Sequence, residues 1–222
     1  MKRVVIPELL DSDAGTAAEV RASLGDLRRS NRWFGGIATT RAMVEQVVSA
    51  TGRRELSLLD VGAGSGDVAQ AVARQLRSRG IALKVTLLDR VASHLVAADG
   101  ARRVAGDGLA LPFRESSFDL VGSALFVHHL EPDEVVQFVN EALRVARLAV
   151  VINDLRRNSL HLGLVYSGFP LYRSRLTRHD APASVLRAYT PQEMLGILGR
   201  TRAARVELTR HYLCRMGAIA WK

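Results

Sequence analysis

Leu58-Leu59-Asp60-Val61-Gly62-Ala63-Gly64-Ser65-Gly66-Asp67-Val68 decides how the rest of the chain is read. An apolar run ends in an acid, three glycines alternate with small residues, and a helical pattern follows from Asp67 through Arg79, with Val68, Ala71, Val72 and Leu76 at turn-like spacing. The stretch predicts strand, glycine turn, helix. Glycine has three uses in such a turn: backbone angles closed to other residues, a bare backbone where a ligand touches, and close packing of the helix start on the strand. A dinucleotide fingerprint needs its third glycine where this chain has Asp67, and no phosphate-loop lysine follows. Acids entering and leaving the turn repel phosphate and suit a ligand that presents an ammonium group.

More acids recur at the ends of apolar runs. Leu87-Leu88-Asp89-Arg90 closes the next run, about where a two-layer nucleotide fold puts a ribose-binding acid. Gly106-Asp107-Gly108-Leu109-Ala110-Leu111-Pro112-Phe113 and Ser117-Phe118-Asp119-Leu120-Val121 come after it. In order and spacing these segments resemble the class I S-adenosylmethionine-dependent methyltransferases, with their "GD-x-x-x-LPF…FD" pattern. The resemblance implies S-adenosylmethionine as cofactor. It assigns Asp60, Gly62, Ala63, Gly64 and Gly66 to the turn that holds the cofactor, and Asp89 with Arg90 to the ribose. Gly106, Asp107 and Gly108 fall at the adenine, with Asp107 accepting from its amine, while Ser123 and Ala124 offer carbonyls to the ammonium.

Beyond the turn, strands read at Lys84–Asp89, Arg103–Ala105, Phe118–Ser123 and Leu148–Asn153, with helices near Ala92–Ala98 and Pro132–Arg144. Such alternation predicts a parallel sheet covered by helices on both faces, with ligands at the carboxyl ends of the strands. Thr190-Pro191-Gln192-Glu193 starts a helix that runs to about Gly199. Strands at Arg202–Leu208 and Tyr212–Trp221 then close the chain. The expected fold is α/β and Rossmann-like: a seven-stranded sheet, mostly parallel with a terminal antiparallel strand. One domain over residues 1–222 is expected. Ahead of the core, Thr16 with Glu19 caps a helix to about Leu27, and Thr39–Thr51 is amphipathic.

The acceptor side is carried by what the core motifs leave over. Phe126-Val127-His128-His129-Leu130 and Asn153-Asp154-Leu155-Arg156-Arg157-Asn158 resemble segments of the ubiquinone and menaquinone biosynthesis methyltransferases. A loop histidine ordinarily makes a local hydrogen bond, but His128, His129 and Asp154 are candidates for taking the acceptor's proton. Residues 159–189 break the alternation and predict an acceptor-pocket insertion, against the plainer reading of a solvent-facing helical hairpin. Residues 1–38 predict a helical lid. From these two segments, Trp33, Phe34, Tyr166, Tyr172 and Arg173 are the expected substrate-facing residues.

Composition bounds the partners. The formal net charge is +9, almost wholly from arginines scattered over predicted helix faces and loops, while aromatic residues make up 5%. Nucleic acid is therefore not the expected partner, since its surfaces cluster basic and aromatic groups. Cys214 is the sole cysteine, and with no basic-then-apolar leader the expected location is a reducing cytoplasm. No apolar run is long enough for a membrane span. His94, His161 and His179 lack zinc-site spacing, so no metal is expected. The expected function is O- or C-methylation of a small phenolic or quinol-like acceptor. The alternatives are an RNA methyltransferase and a non-catalytic scaffold that merely keeps the cofactor fold.

Overall fold

A computed structural model describes residues 1–12, 14–95 and 100–222. In chain order it contains α1 (Ala17–Trp33), α2 (Gly36–Thr51), β1 (Glu55–Val61), α3 (Asp67–Arg77), β2 (Ala82–Asp89), β3 (Arg102–Ala105) and β4 (Phe118–Ala124). There follow α4 (Pro132–Val145), β5 (Ala146–Leu155), α5 (Ser159–Ser167), α6 (Arg175–Arg187), α7 (Pro191–Leu198), β6 (Arg205–His211) and β7 (Arg215–Trp221).

Adjacent strand residues point to opposite sides of a sheet, so a strand that is apolar at every position has both faces covered. Leu58, Leu87, Leu120 and Val151 face Met43, Val44 and Val47 of α2 and Val68, Val72 and Leu76 of α3. Their neighbours Leu59, Leu88, Val121 and Val150 join Val135, Phe138 and Val139 of α4 and Met194 and Ile197 of α7. The strand order is β3-β2-β1-β4-β5-β7-β6. β3, β2, β1, β4 and β5 are parallel, and β7 runs antiparallel between β5 and β6. This is the expected fold. The chain winds outward from β1 to β3 and then returns to place β4 on the other side of β1. The resulting crevice opens at the carboxyl ends of the two strands.

Several boundaries differ from the sequence expectation, each with a local cause. α1 continues past Leu27 to Trp33, where the Phe34 N–H bonds back to the Ser30 carbonyl, so the polar run after Leu27 is helical. No helix begins at Ala92 beyond a 3-10 turn over Ala92–His94: Asp89 accepts the Val91 N–H at 2.9 Å and bends the chain there. Residues 96–98 of the segment expected to run to Ala98 lie outside the described residues. The final hairpin turns at Tyr212, Leu213 and Cys214 and not at residues 209–211, with Leu213 and Cys214 at φ of 45° and 65°. Cys214 is buried, though in the turn. Segment 159–189 is α5 and α6 joined by a short turn, with α6 packed on α1.

Candidate functional site

A cavity of about 590 Å³ lies at the carboxyl ends of β1 to β4. Its lower wall is Asp60 to Ser65, Asp89, Arg90, Gly106 to Leu109 and Ala124 to Phe126. The glycines divide the uses expected of them. Gly62, at φ 66°, lies under the Phe126 ring, and a Cβ there would come within 2.5 Å of it. Gly66 fits against Leu87, where a Cβ would come within 2.4 Å, so it packs the helix start on the sheet. Gly64, at φ 51°, faces open space and leaves its backbone bare.

Asp89 accepts the Gly64 N–H at 2.8 Å as well as that of Val91, which fixes its carboxylate at the tip of β2. Asp107 accepts the Leu109 N–H at 2.9 Å and lines the cavity. Asp60 is the informative acid. It is 6% exposed, lines the cavity, and no described residue donates to it or pairs with it. Burial, with Asp89 nearby as the second cause, raises its pKa to about 7. A buried carboxylate without a partner fits a cationic ligand group, and acids at three successive strand ends fit the polar parts of S-adenosylmethionine. Gly66 and the buried Ser123 are not part of the lining.

The other end of the cavity comes from distant sequence. Asp180 of α6 accepts the Leu9 and Leu10 N–H groups at 2.8 and 3.1 Å, which carries Glu8 and Asp11 into the lining. Glu8 is 8% exposed and accepts the Ser184 hydroxyl at 2.8 Å. His128 is 1% exposed, and its Nδ1 lies 2.6 Å from Asp154. Its Nε2 is buried 3.5 Å from Glu8 and makes no aligned hydrogen bond. His129 repeats the arrangement, with Nδ1 2.9 Å from Asp11 and Nε2 3.9 Å from Glu8. Burial alone would lower the His128 pKa, but Asp154 and Glu8 outweigh it and raise it to about 10. The same contacts hold Glu8, Asp11 and Asp154 below the usual carboxylate range against the opposing effect of burial.

Two arginines complete this end. Arg187 donates to the His129 carbonyl. Arg215 is 2% exposed, donates to Asn31 at 2.9 Å, and keeps Nη1 buried without a hydrogen-bond partner. Burial lowers its pKa to about 10. Leu24, Leu27, Arg28 and Asn31 of α1, with His161, Val165, Tyr172 and Val185, form the remaining wall.

The candidates nominated from sequence separate accordingly. His128, His129 and Tyr172 line the cavity. Asp154 does not; it is buried behind His128 and orients it. Trp33, Phe34 and Tyr166 are 66%, 47% and 52% exposed and lie outside the lining, as does Arg173, whose side chain borders a separate shallow groove beside α1. Glu8, Asp11, Arg187 and Arg215 went unrecognised because nothing in their sequence surroundings separates a buried charge from a solvated one.

A family model described as a methyltransferase domain matches residues 59–149. Among curated proteins, none matches the chain significantly. Solved structures that share the fold include a SAM-dependent methyltransferase from Aquifex aeolicus, with 18% identity, TM-score 0.57, and coverage of 80% of this chain and 88% of that one. They also include the plantazolicin methyltransferase BamL in complex with a triazolic desmethylPZN analog and SAH, with 14% identity, TM-score 0.71 and 91% of each chain covered. The plantazolicin methyltransferase BpumL, in complex with the same kind of analog and SAH, is 13% identical at TM-score 0.70, over 97% of this chain and 95% of that one. Residues 59–149 thus match a methyltransferase domain, and the sheet they belong to is the one shared by solved S-adenosylmethionine-dependent methyltransferases, which supports methyl transfer with S-adenosylmethionine as the cofactor.

Proposed function

We propose that the enzyme methylates a small phenolic or quinol-like acceptor, at oxygen or at a ring carbon, with the acceptor's oxygen seated against Glu8, His128 and His129. The observation that carries this reading is the far end of the cavity, where two histidine–carboxylate pairs and a buried guanidinium with a free Nη1 share one lining. When bound, S-adenosylmethionine would supply an electrophilic methyl group, with its sulfur as the leaving group that keeps the electron pair of the broken carbon–sulfur bond. Asp60 would hold the ammonium, Asp89 the ribose hydroxyls and Asp107 the adenine amine, with the glycine turn as their floor. Much of the rate then comes from alignment. Glu8, held ionised beside the two histidines, is the group that takes the proton a hydroxyl must lose, and Arg215 favours the anionic form of the acceptor.

The resemblance of Asn153–Asn158 to quinone-biosynthesis enzymes supports a ring hydroxyl. BamL and BpumL, whose structures hold desmethylPZN analogs, support a small molecule over a macromolecule. An RNA acceptor is disfavoured by how the arginines are used. Arg3, Arg29, Arg53, Arg144, Arg157 and Arg200 are all ion-paired within the chain. A scaffold without catalysis has no use for a buried Arg215 that keeps Nη1 free at the acceptor end. No helix among the described residues is long and apolar enough to cross a membrane. Labelled S-adenosylmethionine with a panel of phenols, quinols and RNA tests the reading. Label transfer to a phenol or quinol is the expected result; transfer to RNA alone would overturn it.

A further inference from the structure

We infer that Glu8, His128 and His129 form a binding site for a divalent transition-metal cation, zinc before others, at the acceptor end of the cavity. The three residues each offer one donor atom, all within 4.8 Å of one another. Nε2 of His128 and Nε2 of His129 lie 3.5 and 3.9 Å from Glu8 Oε1. Donors around a tetrahedral zinc, at bonds of roughly 2.0–2.2 Å, stand about 3.3–3.6 Å apart. Small side-chain movements bring these three to that spacing. Two imidazoles and a carboxylate form a donor set used in zinc sites that keep one position open.

The supporting shell is the second, independent observation. A histidine that binds a metal through Nε2 ordinarily gives its Nδ1–H to a carboxylate or carbonyl, which fixes the ring and frees the Nε2 lone pair. Both rings have that partner: Asp154 at 2.6 Å for His128 and Asp11 at 2.9 Å for His129. Asp154 also accepts the His128 backbone N–H at 3.0 Å and so holds the ring from two sides. The Nε2 of His128 is then left buried, without a hydrogen-bond partner, aimed at Glu8. Three carboxylates around two imidazoles suit a doubly charged ion. The neighbouring guanidiniums act on Asp11 and Asp154 only through their charge, since Arg187 gives its hydrogen bond to a backbone carbonyl and Arg215 to Asn31 and the Phe34 carbonyl, and neither approaches Glu8 as a hydrogen-bond partner.

The fourth coordination position opens on the cavity, where the proposed acceptor's oxygen would sit. Only that consequence rests on the proposed function; cation uptake stands on the side chains themselves. The test therefore uses chelator-stripped protein with neither cofactor nor acceptor, titrated with Zn²⁺ by calorimetry and with Co²⁺ by visible absorption. One equivalent is expected, with Co²⁺ bands of a four- or five-coordinate site. Glu8→Gln and His129→Ala should each weaken Zn²⁺ binding more than about tenfold, and Asp11→Asn by about 10–100-fold. Circular dichroism confirms that each variant is folded; His129 and Asp11 are partly exposed, which spares the test from depending on the buried His128. No stoichiometric uptake, or uptake unchanged in folded Glu8→Gln and His129→Ala, would overturn the inference. Should phenol methylation survive in protein that takes up no cation, the proposed function stands and the metal site falls. Stoichiometric uptake without methylation of any phenol or quinol would have the opposite meaning.

Discussion

The two ends of the cavity are built in different ways. At the cofactor end, Asp60, Asp89, Asp107 and the glycine turn come from one stretch of parallel β/α units, and each acid stands at the tip of a strand. At the acceptor end, Glu8 and Asp11 meet His128 and His129 across more than a hundred residues, held by Asp180 of α6. A fold that lines up successive strand ends gives its cofactor site a sequence signature. A site assembled from an N-terminal segment, a loop and two added helices has none, and it is also the part free to change with the substrate.

If the two ends divide the work, variants should separate turnover from cofactor affinity. The largest effect is expected for Glu8→Gln, which should lower kcat by about 10²–10⁴-fold with little change in cofactor binding, as measured in single-turnover assays. Loss of cofactor affinity in step with kcat would break the comparison.

Gly62→Ala comes next and strikes the other end. It places a side chain at φ 66° and forces a Cβ against the Phe126 ring. Strain and overpacking together should destabilise the protein by about 2–5 kcal/mol, visible as a fall in Tm. Gly64→Ala, whose Cβ meets open space, should cost only about 1–2 kcal/mol of stability while weakening the cofactor. Equal losses of Tm would mean that the two glycines are not doing different jobs.

Asp60 gives the pH dependence. Its carboxyl is raised from an ordinary 3.8 to about 7, so the folded, ligand-free protein binds the proton more tightly than the unfolded chain does. Its contribution to stability is therefore full below pH 4, declines as pH rises to about 7 and is level above that. Asp60→Asn should remove the decline and leave the ligand-free variant more stable than the parent at pH 8, by on the order of 2–4 kcal/mol. Thermal melts of both proteins from pH 5 to pH 8.5 read the difference. Parallel curves would mean that Asp60 is not desolvated as described.

The smallest expected effect is at the rim, where Arg28 of α1 pairs with Asp67 at 2.8 Å across the mouth of the glycine turn. Both groups are partly exposed, so Arg28→Ala should change stability by no more than about 1 kcal/mol. If α1 acts as a lid, its mark will be faster cofactor release in stopped flow.

The chain's legibility follows the same division. The mostly parallel seven-stranded sheet could be read because apolar runs ending in acids recur at βα spacing, and local caps such as Thr16 with Glu19 and Thr190 with Glu193 were where expected. His128 and Asp154 were each nominated from sequence, but that one orients the other depends on loop geometry that no spacing encodes. The substrate-facing aromatics were misjudged for a simpler reason. Whether an aromatic turns inward depends on the helix face it occupies or, for Phe34, on the turn that follows α1, and Trp33, Phe34 and Tyr166 face solvent. Tyr212 has strand propensity and sits in a turn, because the register of β7 against β5 fixes the hairpin from outside.

The most direct test of the two-ended account is calorimetric titration of SAH into the parent, Asp60→Asn and Glu8→Gln proteins at pH 8. Asp60→Asn should weaken binding by about 10–100-fold, the loss of a hydrogen-bonded charge pair of about 1.5–3 kcal/mol, while Glu8→Gln should bind within about twofold of the parent. Undiminished binding by Asp60→Asn, or a matching loss in Glu8→Gln, would contradict the account.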